Sequence, residues 1–484
     1  VTRYRKPAAL GRRGVVLGAL AGPIIAGRAA QEQDAAQDEQ GAGTAATAPK
    51  TPSSDTIRDL LSAEVDPGRE SLGYVAAVVD AGAWRLITAG QSGADDGRAL
   101  GGDSVFEIGS ITKVFTALLL ADMVQRGEVA LDDPVAKYLP PEGRPHAFDG
   151  KPMSLLDLAT YTSGLPRMPD NFQPANKANP YADYTVAQLY QFISGFAPLY
   201  FPGSHYEYAN LGFGLLGHAL ALRAGRSYEE LVVARICTPL ELDDTRITLT
   251  PDMQRRLVPG HDTGLRKVSN WDLPTLAGAG ALRSTANDLC RFLDACQGRR
   301  QTSLAPGFAS LLDVRRQTDQ PNLYAAEGWF VETQHGDEIV WKDGGTGGYA
   351  TFIGYSARTN AAAVLLANSA SWHSTPRLGL NLLNPAFPVP PLHHQIALDP
   401  AKLPGYAGRY PITPQFVLTV TPKDGRLMVQ ATHQDEYEVF PESNTQFFYR
   451  VVNAQLTFEL GPDGSAIALV LHQNGRDRRA IRLP

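Results

Sequence analysis

The apolar and polar positions divide the chain into three regimes. In the first, "DTIRDLLSAEV" from Asp55 has a helical period, and two apolar runs, "YVAAVVD" and "WRLITAG", flank a turn at Ala81 to Ala83. That pattern predicts a helix and then a hairpin. "FEIGSITKVFTALLLADMVQRG" follows, a helix opened by Ser110 and stopped by Gly127, with Val114, Phe115, Leu118, Leu119 and Met123 as its buried stripe. From about 130 to 300 the helical period recurs in "SLLDLATYTSGL", "TVAQLYQFISGF" and "GFGLLGHALALRAG", which reads as a mostly helical insertion. Strands return in "AEGWFVETQ" and "DEIVWK" around Gly336-Asp337, then in "YATFIGYSA" and "AAAVLLANSA". Early and late strands must share one antiparallel sheet flanked by helices, an α+β arrangement with a cleft beside the helical subdomain. After the proline-rich "NPAFPVPPLHH" the period becomes two, with Asp-Gly and Asn-Gly turns, so 398–484 is expected to form a small all-β barrel-like domain.

Composition sharpens this outline. At 484 residues, 43% of them hydrophobic, the chain is expected to hold two domains. The boundaries read as 56–384 for the α+β domain, 385–397 for a proline-rich linker and 398–484 for the β domain. A net charge of −6 without a basic stripe argues against a nucleic-acid partner. Cys237, Cys290 and Cys296 form no paired motif and read as buried free thiols. Ten histidines show no metal-ligand spacing, and His393-His394 reads as a solvated pair in the linker, so neither a metal nor a cofactor is expected. Residues 1–30 pair a basic start, "RYRKPAALGRR", with the short apolar "GVVLGALAGPIIAG", the pattern of an export signal, and Arg12-Arg13 resembles a twin-arginine signal. Residues 31–55 then read as a flexible tether. A periplasmic or secreted protein, with no stable membrane span after signal removal, is the expectation.

Three short motifs carry candidate chemistry. Ser110 and Lys113 lie three residues apart on one helix face, so the lysine can move the serine's proton while the oxygen attacks a carbonyl. Tyr208 and Asn210 form the chain's one Tyr-x-Asn, and a phenol between two lysines can shuttle a proton to a leaving amine. Lys342-Asp343-Gly344-Gly345 ends an apolar strand. There Lys342 can attract a carboxylate, the small residues admit a substrate backbone, and the Gly345 N–H can serve as an oxyanion donor. A second Lys-x-Gly, Lys423-Asp424-Gly425, reads as hairpin-turn chemistry. No Gly-x-Ser-x-Gly elbow is present.

Ser-x-x-Lys, Tyr-x-Asn and Lys-x-Gly in this order resemble the serine β-lactamase and penicillin-binding-protein superfamily, and the tyrosine motif resembles its class C branch. "LDLATYTSGLP", "CTPLELDDT", "AGAGALRSTANDL" and "DGGTGGY" look like further landmarks of that superfamily, and the β unit beginning "YAGRY" is similar to an appended lipocalin-like domain. Two positions depart from many relatives: Tyr161 and Lys342 stand where those carry histidine. The resemblance implies an acyl-enzyme on Ser110, with Lys113 and Tyr208 relaying protons and Asn210, Lys342, Gly344 and Gly345 binding the substrate. It implies a small-molecule substrate with a carboxylate near the scissile amide. β-Lactam hydrolysis is the first expectation, D-amino-acid peptide cleavage (a DD-carboxypeptidase) the second and carboxylester hydrolysis the third. A covalent β-lactam sensor without turnover is the reading from another class.

Overall fold

A computed structural model describes residues 51–65, 71–80, 82–389, 391–432, 434–473 and 475–484. The export signal and nearly all of the tether lie outside the described residues. Helix α1 (Ser54–Val65) leads into the hairpin β1 (Gly73–Val79) and β2 (Arg85–Gly90), and a two-residue strand β3 (Phe106–Glu107) precedes the Ser110 turn. Helix α2 (Thr112–Gln125) follows, then α3 (Leu155–Ala159), α4 (Val186–Gly195) and α5 (Asn210–Ala224) of the helical region. The remaining strands of this unit are β4 (Arg283–Ser284), β5 (Arg316–Gln317), β6 (Leu323–Ala325), β7 (Phe330–Glu332), β8 (Ile339–Gly345), β9 (Ala350–Ser356) and β10 (Ala362–Ala367).

Eight of these strands form one antiparallel sheet in the order β2-β1-β10-β9-β8-β7-β6-β5, so the early hairpin joins the late strands through β1 and β10, with Tyr74 opposite Ala367. Every residue of β1 and of β10 is buried. That follows from helices packing on them, including Ala286–Cys296 and Ser374–Leu383. β3 pairs with β4 separately, Phe106 opposite Ser284, and ties the Ser110 turn to the end of the helical region.

Three elements differ from the pattern reading. Helix α2 has no polar face, because Thr112 through Met123 are all buried. It runs through the interior between α5, the short helix Ala277–Gly280 and the aromatic pair Phe292 and Phe308, and Phe115 stacks on Phe292 at 4.5 Å. Helix α3 is only five residues long, started by a Ser154–Asp157 capping box. It is followed by Tyr161 at φ +58°, a left-handed conformation that no helix continues through. In the proline-rich segment Phe387 packs into the core that begins at Ile57 and His393 is buried rather than solvated, while His394 is exposed. Cys237, Cys290 and Cys296 are unpaired; the first two are buried and Cys296 is half-buried.

The chain divides into two units. The second, within 397–484, is an antiparallel meander of eight strands, Gly408–Thr413, Phe416–Lys423, Arg426–Ala431, Glu436–Pro441, Gln446–Tyr449, Ala454–Leu460, Ala466–Gln473 and Arg476–Ile481. Its first and last strands approach each other, so the barrel is nearly closed. Tyr406, Tyr410, Phe447 and Phe458 pack edge to face in its core. Lys423 sits in an exposed hairpin there, beside Asp424 at φ +51° and Gly425 at φ +74°, the paired left-handed geometry that such a tight turn requires.

Candidate active site

Ser110 lies in a single 3₁₀ turn, Gly109–Ile111, immediately before α2. Close packing fixes that turn against β8. A Cβ on Gly344 would stand 2.0 Å from the Ile108 carbonyl oxygen, and one on Gly109 would stand 2.6 Å from the Gly345 nitrogen. The side-chain position of Gly344 is thus filled by the protein's own Ile108 carbonyl. Gly109 takes φ +49°, so both space and backbone demand glycine there. The Gly345 main chain consequently sits beside Ser110, and both line a cleft with Tyr181, Asn210, Trp271, Leu273, Ala279, Gly280 and Thr346.

Lys113 is fully buried and uses all three of its donors. Its Nζ donates to Ser110 Oγ at 2.8 Å, Asn210 Oδ1 at 2.9 Å and the Ala279 carbonyl at 2.7 Å. The Asn210 amide is oriented from its other end by donating to the Tyr181 hydroxyl at 3.2 Å. Ala279 reaches the lysine because its short helix is made of small residues: a Cβ on Gly278 would meet the Phe213 carbonyl at 2.8 Å. "AGAGA", noted in the sequence as a landmark, therefore has a packing cause.

Tyr208 is buried between cations. Lys113 Nζ is 5.1 Å from its ring centroid, Lys342 Nζ 5.2 Å and Arg167 Cζ 5.2 Å. Burial pushes its phenol up, but Lys113, Lys342 and Arg167 outweigh burial and the Asp343 carboxylate to bring it down to about 8. Burial lowers Lys113 to about 8 as well, against the pull of Tyr208 and with the help of Lys342. One proton is then shared between two groups of similar affinity. Lys342 is fully buried and ion-paired with Asp343 at 2.8 Å; burial lowers its pKa, yet Asp343 and Tyr208 leave it raised, so it stays cationic.

The profile of the beta-lactamase family matches residues 57–383. The chain belongs to the beta-lactamase family. It is a serine hydrolase of the α+β fold that this family shares. A second profile, a domain of unknown function (DUF3471), matches residues 392–482, the barrel-like unit. The D-alanyl-D-alanine-carboxypeptidase/endopeptidase AmpH of Escherichia coli K12 is 33% identical over 281 residues, 54% of this chain and 71% of that protein. Penicillin-binding protein 4* of Bacillus subtilis is 25% identical over 413 residues, 80% of this chain and 89% of that protein. A crystal structure of a beta-lactamase/D-alanine carboxypeptidase from Pseudomonas syringae superposes with a TM-score of 0.60 at 22% identity, over 69% of this chain and 99% of that one.

Within this beta-lactamase family member, Ser110, Lys113, Tyr208, Asn210, Lys342, Gly344 and Gly345 converge at one place, whereas Lys423 belongs to the barrel unit. Tyr181, Arg167 and Gly109 were not singled out by the sequence reading, and Ala279 was noted only within the landmark "AGAGALRSTANDL". Gly109 carried a local signal, a glycine directly before the candidate nucleophile; Tyr181, Arg167 and Ala279 contribute a hydroxyl, a charge and a carbonyl from distant segments. Among the described residues no cluster of three or more histidine, cysteine, aspartate or glutamate side chains could hold a metal ion, and no helix is long and apolar enough to cross a membrane.

Proposed function

We propose that Ser110 is the acylated nucleophile of a β-lactam and D-alanyl peptide hydrolase. In this reading Ser110 Oγ attacks the carbonyl carbon as its proton passes to the Lys113–Tyr208 pair. The Ser110 and Gly345 N–H groups face the oxyanion, and the leaving amine takes the proton through Tyr208. Water then attacks the acyl-enzyme and releases the acid, with the same pair as base. The observation that carries this is the bond from Lys113 to Ser110 Oγ at 2.8 Å in a group whose buried position keeps it near pKa 8.

Substrate class follows from charge. Three cations, Lys113, Lys342 and Arg167, stand around Tyr208 against the single Asp343 carboxylate, an excess that favours a carboxylate near the scissile amide. β7 pairs with β8 only as far as Trp341, so Lys342–Gly345 offer a strand edge on that side to an extended substrate. β-Lactams and D-alanyl peptides carry both a scissile amide and a carboxylate, which ranks them above simple esters. The activities for which the relatives are named, D-alanyl-D-alanine carboxypeptidase and beta-lactamase, agree with this ranking. The basic and apolar pattern of residues 1–30 supports a periplasmic or secreted location.

Steady-state hydrolysis of a chromogenic cephalosporin is the test. It should be abolished by Ser110→Ala and lowered about a hundredfold or more by Tyr208→Phe, the range for losing a positioned acid–base group. A wild-type protein that gives only a stoichiometric burst with the cephalosporin, yet turns over p-nitrophenyl esters lacking a carboxylate, would establish the esterase reading. A burst with no turnover of any substrate would establish the sensor.

A further inference from the structure

Tyr161 carries two local costs that its resting surroundings do not offset. Its φ of +58° is unfavourable for any residue with a side chain, and its buried hydroxyl makes no full hydrogen bond, only a weak interaction with Tyr208. Strain of this kind persists where neighbouring structure over-determines it. Here the left-handed turn after α3 lays the ring on Tyr208, with centroids 4.9 Å apart and planes 20° from parallel. Phe213 at 5.0 Å and Phe330 at 6.0 Å hold other parts of the ring. The Tyr161 carbonyl also accepts the Glu207 N–H at 2.8 Å, one residue before Tyr208. Main chain and ring therefore fix the same neighbour twice.

The hydroxyl is suited to one further act. Burial, then Tyr208, Tyr206 and Asp343, hold its proton far above the ordinary phenol range, so it remains a donor wherever Tyr208 titrates. A buried donor with only a weak interaction gains a strong acceptor when the neighbouring phenol becomes a phenolate. We propose that Tyr161 is a positioning residue of the proton relay, its ring fixing the Tyr208 ring and its hydroxyl donating a hydrogen bond to the Tyr208 oxygen whenever that oxygen is a phenolate. Tyr161 keeps its own proton throughout; the proton that moves comes from Ser110 and leaves with the amine. This inference rests on the reading of Tyr208 as the relay.

The groups facing Tyr208, besides Tyr161, are Lys113 from α2, Lys342 and Asp343 from β8, Arg167 from the loop after α3, Tyr181 from the segment before α4, and Tyr206 from its own segment. Tyr161→Phe leaves all of them in place and keeps the stacked ring. The test follows two quantities in the wild type and this variant: kcat/KM against pH for the cephalosporin, and the ultraviolet titration of tyrosinate, assigned to Tyr208 by difference from Tyr208→Phe. The titration needs no substrate. The expected result is that both midpoints rise by about one pH unit, the size of one hydrogen bond to a charged group, while the thermal midpoint does not fall. Unmoved midpoints overturn the inference and leave the relay intact. Absence of any tyrosinate lost with Tyr208→Phe, or wild-type turnover by that variant, overturns the relay and this inference together.

Discussion

At the scale of single residues, the site is governed by how many charges share a small buried volume. Lys113 and Tyr208 have ordinary affinities for protons that differ little; burial brings Lys113 down to about 8, while Tyr208 reaches about 8 because the neighbouring cations outweigh the opposite effect of burial. Asp343 opposes this by raising Tyr208 and compensating Lys342. Removing it as Asp343→Asn should therefore lower the Tyr208 midpoint, so the rising limb of kcat/KM against pH should move to lower pH. A shift upward, or none, would show that Asp343 acts only on Lys342. Ser110, Lys113, Tyr208, Asn210 and Lys342 were legible in the sequence because three motifs with fixed spacing occur in a fixed order. Arg167, Tyr181 and Ala279 were not given a role there, since each reaches the groups it serves from a segment 29 or more residues away in sequence.

Elements place these residues through contacts that a hydrophobic pattern does not encode. The sequence pattern located α4 by its buried stripe of Leu189, Phe192 and Ile193, and α5, the early hairpin and β8 to β10 as apolar runs bounded by turn residues. It misjudged α2, which is buried on every side and so has no face to reveal. It overextended α3, whose end is set by the left-handed Tyr161 rather than by a breaker residue. The two-residue pair β3 and β4 is too short to leave a period at all. The contact that matters most for the site is between the Ser110 turn and β8, where Gly344 meets the Ile108 carbonyl. Gly344→Ala places a methyl group 2.0 Å from that main-chain oxygen and 2.6 Å from Thr351 Oγ1, so a shift of the Thr351 side chain alone cannot relieve the clash. We expect a loss of about 1–3 kcal/mol in stability, the range for overpacking, seen as a lower thermal midpoint. A larger proportional loss of kcat/KM should accompany it, because the turn that carries Ser110 must move. Unchanged acylation kinetics in a folded Gly344→Ala protein would show that this contact does not position Ser110.

For the whole molecule the question is whether the serine hydrolase depends on its appended barrel to fold. The catalytic unit owns a continuous core that runs from Ile57 to Phe387, and its sheet is complete by Ala367 with helix Ser374–Leu383 packed on β9 and β10. The barrel has a separate core of its own, built on Tyr406, Tyr410, Phe447 and Phe458. The proline-rich stretch between them is part of the first unit through Phe387 and the buried His393, so where a cut is made decides its effect. A chain ending at Ile396 should unfold cooperatively and still be acylated at Ser110. One ending at Leu383 removes Phe387 and should lose about 3–5 kcal/mol, the cost of deleting a buried phenylalanine side chain, with a lower thermal midpoint. Residues 397–484 alone should fold as a β protein by circular dichroism. If the Ile396 chain melts without cooperativity while the full chain does not, the barrel completes the catalytic core and the two units are one folding entity.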